Sequence, residues 1–352
     1  MINLDKRINS NYSIVIKKGR CFLSIFLFFL FSSCTIPSIF KIDGETMGTT
    51  YHVSIFDRLN SNQLNNLKTN IDSLLIKVNS HFSTYKTDSE ISRFNNSITK
   101  NPIQISNEFS DLYRLCQKIN LESNGYFDPT VSPLVELWGF GTSGVKLVPP
   151  EDSLILKTLQ LVGINKINLD GNFLQKTNPE VKLDFSAIAK GWGVDKIAEY
   201  LQSESVFNFM IEIGGEVRCN GSNAGNSWKI GINNPMQAID GQDIMEIVKL
   251  NNNSIATSGD YRNYFEYNGK KYSHTIDPKT GFPVDHTLTS VTIISENCAM
   301  ADGLATAVMA MGFNSGLNLI NQIEHAEGLI LEMKNSDIVF HKSDGFEQFV
   351  MN

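Results

Sequence analysis

Asp302 and Thr306 stand four residues apart inside ENCAMADGLATAVMAMG, a stretch otherwise almost wholly small or apolar. An i,i+4 spacing on a helix puts both side chains on one face, one turn apart. A carboxylate and a hydroxyl so placed are hard oxygen donors, of the kind Mg²⁺ takes while it also holds substrate phosphate. The same pair suits a structural role, with Asp302 offsetting the helix N-terminus and Thr306 bonding back to a carbonyl. A second stretch, DFSAIAKGWG (184–193), joins small residues to a helix start. There backbone amides can approach an anion, with Lys190 adding positive charge and Asp184 leading in; packing alone would use the same small residues. His274, in HTIDPKTGFPV, has the one side chain whose ordinary pKa of about 6.5 lets it take a proton near neutrality. It could equally be a hydrogen-bonded turn residue beside Asp277 and Pro278.

Flat ligands bury well against aromatic faces, and Tyr85, Tyr126 and Phe127 are candidates for stacking as well as for the core. Trp138 and Phe140 are assigned to the core. Glu212 and Glu216 flank Gly214 and Gly215 and could line the site, but are assigned no role in it. A GxxxxGK[ST] phosphate loop, an HExxH helix and a GxSxG elbow are absent, so phosphate recognition must be built differently.

The elements that would carry these residues follow from periodicity. TMGTTYHVSIF (46–56) alternates as a first strand. Residues 61–81 place Leu64, Leu67, Ile71, Leu74, Leu75 and Val78 on one helical stripe. Residues 82–95 read as a loop with a short helix begun at Asp88 or Ser89, and Glu108–Glu122 as an amphipathic helix. Pro129 and Pro133 predict a turn from residue 126 rather than a regular element. Residues 150–161 suggest a helix, INKINLDGNFLQKT a hairpin turning at Asp170-Gly171, and VKLDFSAIAKGWGVDKIAEYLQS a strand, tight loop and helix. Strand-like segments follow from 207 to 276, with a turn at Asn268-Gly269. TLTSVTII, the buried helix, and a helix and hairpin from Leu317 close the chain. The fold class is α+β, with mixed or antiparallel sheets and packed helices.

Composition bounds the function. The 352 residues are 41% hydrophobic and 19% charged, with a formal charge of −7. Residues 1–33 are basic, so the remainder is more acidic still, which argues against nucleic acid as a partner. Lys17, Lys18 and Arg20 precede CFLSIFLFFLF, a run too short for a comfortable membrane span. Ser32-Ser33-Cys34 then resembles a bacterial lipoprotein cleavage site. Residues 1–33 are expected to be a lipoprotein signal peptide, Cys34 the lipidated residue, 34–43 a tether, and 44–352 the domain, in one or two subdomains. Such an anchor would hold the domain on the membrane of the cell envelope, at its extracytoplasmic (periplasmic) side. Cys116, Cys219 and Cys298 lack CxxC spacing and read as buried thiols.

Eight blocks resemble, in order and spacing, the ApbE family of FAD:protein FMN transferases: TMGTTYHV, FSTYKTDSEISRFN, GYFDPTVSPLVELWGFG, LDFSAIAKGWGVD, IEIGGEV, ATSGDY, HTIDPKTGFPV and ADGLATAVMAMG. They span roughly residues 44–315. The resemblance implies an ApbE-like (T-fold-like) architecture, an Mg²⁺ site and FAD as substrate. The metal ligands would be Asp302, Thr306 and the carbonyl of Ala187. FAD would lie against Met47, Tyr85, Tyr126, Phe127, Asp128, Asp184, Lys190 and Ile276, and His274 would be the reactive histidine. Gly303 and Ala305 depart from the usual pattern, which leaves one or two metal ions open. The implied activity moves FMN from FAD to a threonine of a flavoprotein, releasing AMP. Acceptors would be subunits of sodium- or proton-coupled electron-transport complexes of the NQR and Rnf kind, or secreted reductases. With water as acceptor the same site would be an FAD pyrophosphatase, and without turnover a flavin-binding lipoprotein.

Overall fold

The computed structural model describes residues 39–235, 244–259, 263–335 and 337–351, all within one unit, Ile39–Asn352. In chain order the first elements are β1 (Phe40–Thr46), β2 (Thr49–Ile55), α1 (Ser61–Phe82), α2 (Glu90–Asn96), β3 (Ile103–Gln104) and α3 (Asn107–Glu122). Then come α4 (Ser132–Trp138), α5 (Asp152–Leu159), β4 (Ile167–Asp170), β5 (Phe173–Lys176), α6 (Ala189–Ser203), β6 (Phe209–Ile213), β7 (Glu216–Asn220) and β8 (Trp228–Asn233). The chain continues through β9 (Ile244–Leu250), β10 (Ser254–Gly259), β11 (Tyr264–Tyr267), β12 (Lys270–Ser273) and β13 (Leu288–Ser295). It closes with α7 (Cys298–Met311), α8 (Phe313–Gln322), β14 (Glu327–Lys334) and β15 (Asp337–Lys342).

Eight strands form the central sheet in the order β1-β2-β6-β7-β10-β13-β14-β15, every neighbouring pair antiparallel. Alternation decides which side chains go where. In β2, Tyr51, Val53 and Ile55 point into a core shared with α1 and α6, which supply Leu67, Ile71, Ile197 and Leu201. The opposite face buries Val217, Cys219, Ile255 and Leu329 against Trp228, Val248 and Leu250 of the β8–β9 ribbon. Both sheet faces are therefore covered, and Cys116, Cys219 and Cys298 are all buried thiols.

α7 lies almost entirely inside: only Thr306 and Met311 of its length escape full burial. Its start is fixed from α6, where the carboxylate of Asp195 accepts the backbone N–H of Cys298 and of Ala299, each at 2.9 Å, and pairs with Arg218 at 2.5 Å. A buried carboxylate thus satisfies donors that the first turn of a helix leaves open. Asp195→Ala strands two amides and a guanidinium in an apolar surrounding. The expected loss is about 3 kcal/mol of folding stability, measured by urea unfolding.

Several local expectations change. Residues 46–56 are not one strand: Met47 (φ 51°) and Gly48 turn the β1–β2 hairpin. β1 begins at Phe40, within the stretch read as a tether. Residues 181–185 form no strand but an extended loop, held where Asn95 bonds both the carbonyl and the N–H of Leu183. Pro133 does not prevent a helix, because it occupies the first turn of α4, where a missing N–H costs nothing. The last helix starts at Phe313 rather than near Leu317, directly after Gly312 ends α7.

Candidate active site

A cavity of about 730 Å³ opens at one end of these elements, toward the upper part of the range for small-molecule sites. Its floor is built from the α6–α7 crossing. Gly191 makes the close approach possible: a Cβ there would lie 2.5 Å from the backbone oxygen of Cys298. Its N–H donates to Asp302 Oδ2 at 3.1 Å, so the first turn of α6 fixes the carboxylate of α7. Gly191→Ala is expected to force the helices apart, lowering stability by about 2 kcal/mol and displacing Asp302. A melting curve and a crystal structure of that variant check both effects.

Asp302, Thr306, Ala187 and Lys190 all line this cavity. The turn before α6 is set by Asp184, whose Oδ1 accepts the N–H of Ser186 at 2.7 Å while its own N–H donates to Pro129. Buried Phe185 and Ile188 anchor the turn, which leaves half-buried Ala187 facing the opening.

Lys190 reaches Glu216 Oε1 at 2.5 Å, and Glu216 is only 3% exposed. Burial opposes the charge on Lys190, yet the carboxylates of Asp302 and Glu216 hold its ammonium up at about 12. Burial, reinforced by the neighbouring Asp302, pushes the Glu216 carboxyl up to about 8 despite Lys190. Burial likewise raises Asp302, against the pull of Lys190. Two carboxylates thus share one ammonium in a largely dry place, where like charges are costly.

His274 lines the same cavity. Its backbone N–H and its ring Nδ1 both meet the carbonyl of Asn263, at 3.1 and 3.0 Å. A carbonyl cannot donate, so that contact assigns the proton to Nδ1 and leaves Nε2 as the basic nitrogen. The edge of the ring packs on Phe140 at 6.3 Å.

The other sequence candidates divide. Tyr85 stands 79% exposed on the cavity wall, and Tyr126 lines it with the ammonium of Lys279 3.9 Å from its ring centre. Ile276 lines it from a bridge to Pro283. Phe127 borders the cavity but is 3% exposed and belongs to the main core. Asp128 borders it too, with its oxygens occupied by the N–H groups of Thr130 and Ile164 and the Thr130 hydroxyl, which ties down the loop. Met47 does not line the cavity; its side chain packs on the core beside Gly193. Cys34 lies outside the described residues, as do Asp260 and Tyr261 of the ATSGDY block.

Sequence reasoning passed over two contributors. Phe140 reaches the cavity as well as the small α4–α5 core. Glu216, given no role, sits beside Lys190; a carboxylate directly after two glycines at a strand start was the available signal. Gly139-Phe140-Gly141-Thr142-Ser143-Gly144 has G-x-G-x-x-G spacing, but it follows α4 and opens no helix, so it lacks the dinucleotide-binding context.

The antiparallel sheet with its helices, which carries the cavity at the α6–α7 crossing, superposes on solved flavin transferases. The solved flavin transferase ApbE from Vibrio cholerae superposes with a TM-score of 0.81 at 38% identity, covering 89% of this chain and 99% of that one. The apo flavinyl transferase ApbE of Pseudomonas stutzeri gives 0.82 at 32% identity, covering 89% and 96%. The ApbE family profile matches residues 47–330. A Vibrio cholerae protein named FAD:protein FMN transferase is 40% identical over 324 residues, 91% of this chain and 93% of its own length. Its Haemophilus influenzae namesake is 40% identical over 319 residues, 88% of this chain and 91% of its own. The chain belongs to the ApbE family.

Proposed function

We propose that this enzyme transfers FMN from FAD to a threonine hydroxyl of an acceptor flavoprotein, releasing AMP, with Mg²⁺ as cofactor. The observation that carries the reading is the convergence of Asp302, Thr306, Ala187, Lys190 and His274 on one cavity. The donor set fits a hard dication: a buried carboxylate, a hydroxyl and a backbone carbonyl from residues that line one cavity. Among the described residues no three His, Cys, Asp or Glu side chains gather for a metal, which suits an ion completed by phosphate oxygens. Mg²⁺ held by Asp302, Thr306 and the Ala187 carbonyl would neutralise charge on the pyrophosphate.

The remaining work belongs to the chain. Lys190 draws on the phosphate oxygens, and the small-residue turn at 184–188 lets the pyrophosphate approach the backbone. Tyr85 and Tyr126 offer faces to the flat rings of FAD. His274 Nε2 takes the proton as the acceptor hydroxyl oxygen bonds to the FMN-side phosphorus. The bridging P–O bond breaks, and AMP leaves with its electron pair.

Acceptors of the electron-transport or secreted-reductase kind, and a Cys34 lipid anchor on the extracytoplasmic face of the envelope, complete the reading. Mass spectrometry of a candidate acceptor co-expressed with this chain should find FMN mass on a threonine. An acceptor left unmodified, while purified enzyme with FAD alone rapidly frees AMP, would turn the assignment to a pyrophosphatase.

A further inference from the structure

Glu216 Oε2 is buried and has no hydrogen-bond partner among the described residues, while Oε1 of the same carboxylate holds Lys190. Buried polar atoms in folded proteins are nearly always paired, so an orphaned carboxylate oxygen calls for a missing partner. The residue opens β7 directly after Gly214 and Gly215, and all three line the cavity with Asp302. Neighbouring Glu212 differs, since its carboxylate accepts the N–H of Gly215 at 2.6 Å. Asp302 and Glu216 both act on Lys190, and all three line the same cavity. A dication beside these carboxyl groups gives the orphaned oxygen the partner it lacks. Mg²⁺ is commonly bound by one or two carboxylates together with phosphate.

We propose that Glu216 is a second carboxylate ligand of the divalent cation, acting with Asp302, and that Lys190 occupies its place until the cation binds. Cation binding then frees the ammonium of Lys190 for the phosphates. The inference rests on the flavin-transfer reading for its cation, but the two fail separately. FMN on the acceptor tests the reading, whereas Mn²⁺ binding without FAD tests Glu216.

The experiment titrates Mn²⁺ into purified protein, with free Mn²⁺ read by electron paramagnetic resonance. Glu216→Gln keeps an oxygen for Lys190 but loses the charge, and its Mn²⁺ affinity should drop about tenfold or more. Lys190→Met removes the competing ammonium and should tighten Mn²⁺ binding, which also covers the case in which the glutamine variant does not fold. Wild-type protein that binds no Mn²⁺ at millimolar concentration overturns the proposal. So does a Glu216→Gln affinity within about twofold of wild type, or a Lys190→Met affinity no tighter than wild type.

Discussion

Asp302→Asn should lower cation-dependent flavin transfer by about 10³-fold or more while the protein stays as stable as before, or gains stability. A bound dication contributes several kcal/mol to stabilising transition-state charge, and each 1.36 kcal/mol is a factor of ten in rate. The asparagine still offers an oxygen to the N–H of Gly191, so the α6–α7 crossing is kept. It also removes a buried carboxyl group whose charged form burial disfavours, which relieves the folded state. Steady-state rates across an Mg²⁺ series, set beside melting curves, separate the two effects. Full activity in this variant would dismiss the cation assignment.

His274→Ala should reduce transfer by about 10²–10⁴-fold, the usual range for losing a general base, and leave FAD affinity nearly unchanged. The contact of Nδ1 with the Asn263 carbonyl fixes the ring's orientation on the cavity wall, so the loss should fall on kcat rather than on FAD binding. FAD binding measured by flavin fluorescence, set beside kcat for both proteins, checks this. An unaltered rate would make the histidine a turn residue with no chemical part.

Much of this site was legible in the chain because it is written locally. The i,i+4 pair Asp302 and Thr306 needs only a helix, and α7 supplies it. Ala187 and Lys190 bracket the turn into α6, where short-range glycine and alanine patterning shows. Glu216 was opaque because its meaning depends on Lys190, 26 positions away in sequence, and on a sheet order that alternation alone does not fix. Met47 could not be placed for the same reason: its left-handed backbone stands at the β1–β2 turn, and its side chain packs on the core. Pro133 misled because helix starts tolerate proline, and only the structure shows that a helix starts there.

The burial of α7 has a consequence for how the enzyme breathes. Amides of a helix sealed between sheet and helices exchange with solvent only when the whole domain opens. The backbone under Asp302 should therefore be among the slowest to take up deuterium, while the loop bearing His274 exchanges through small local openings. Gentle warming would then disturb proton transfer first and leave the carboxylate of Asp302 in register until the domain melts.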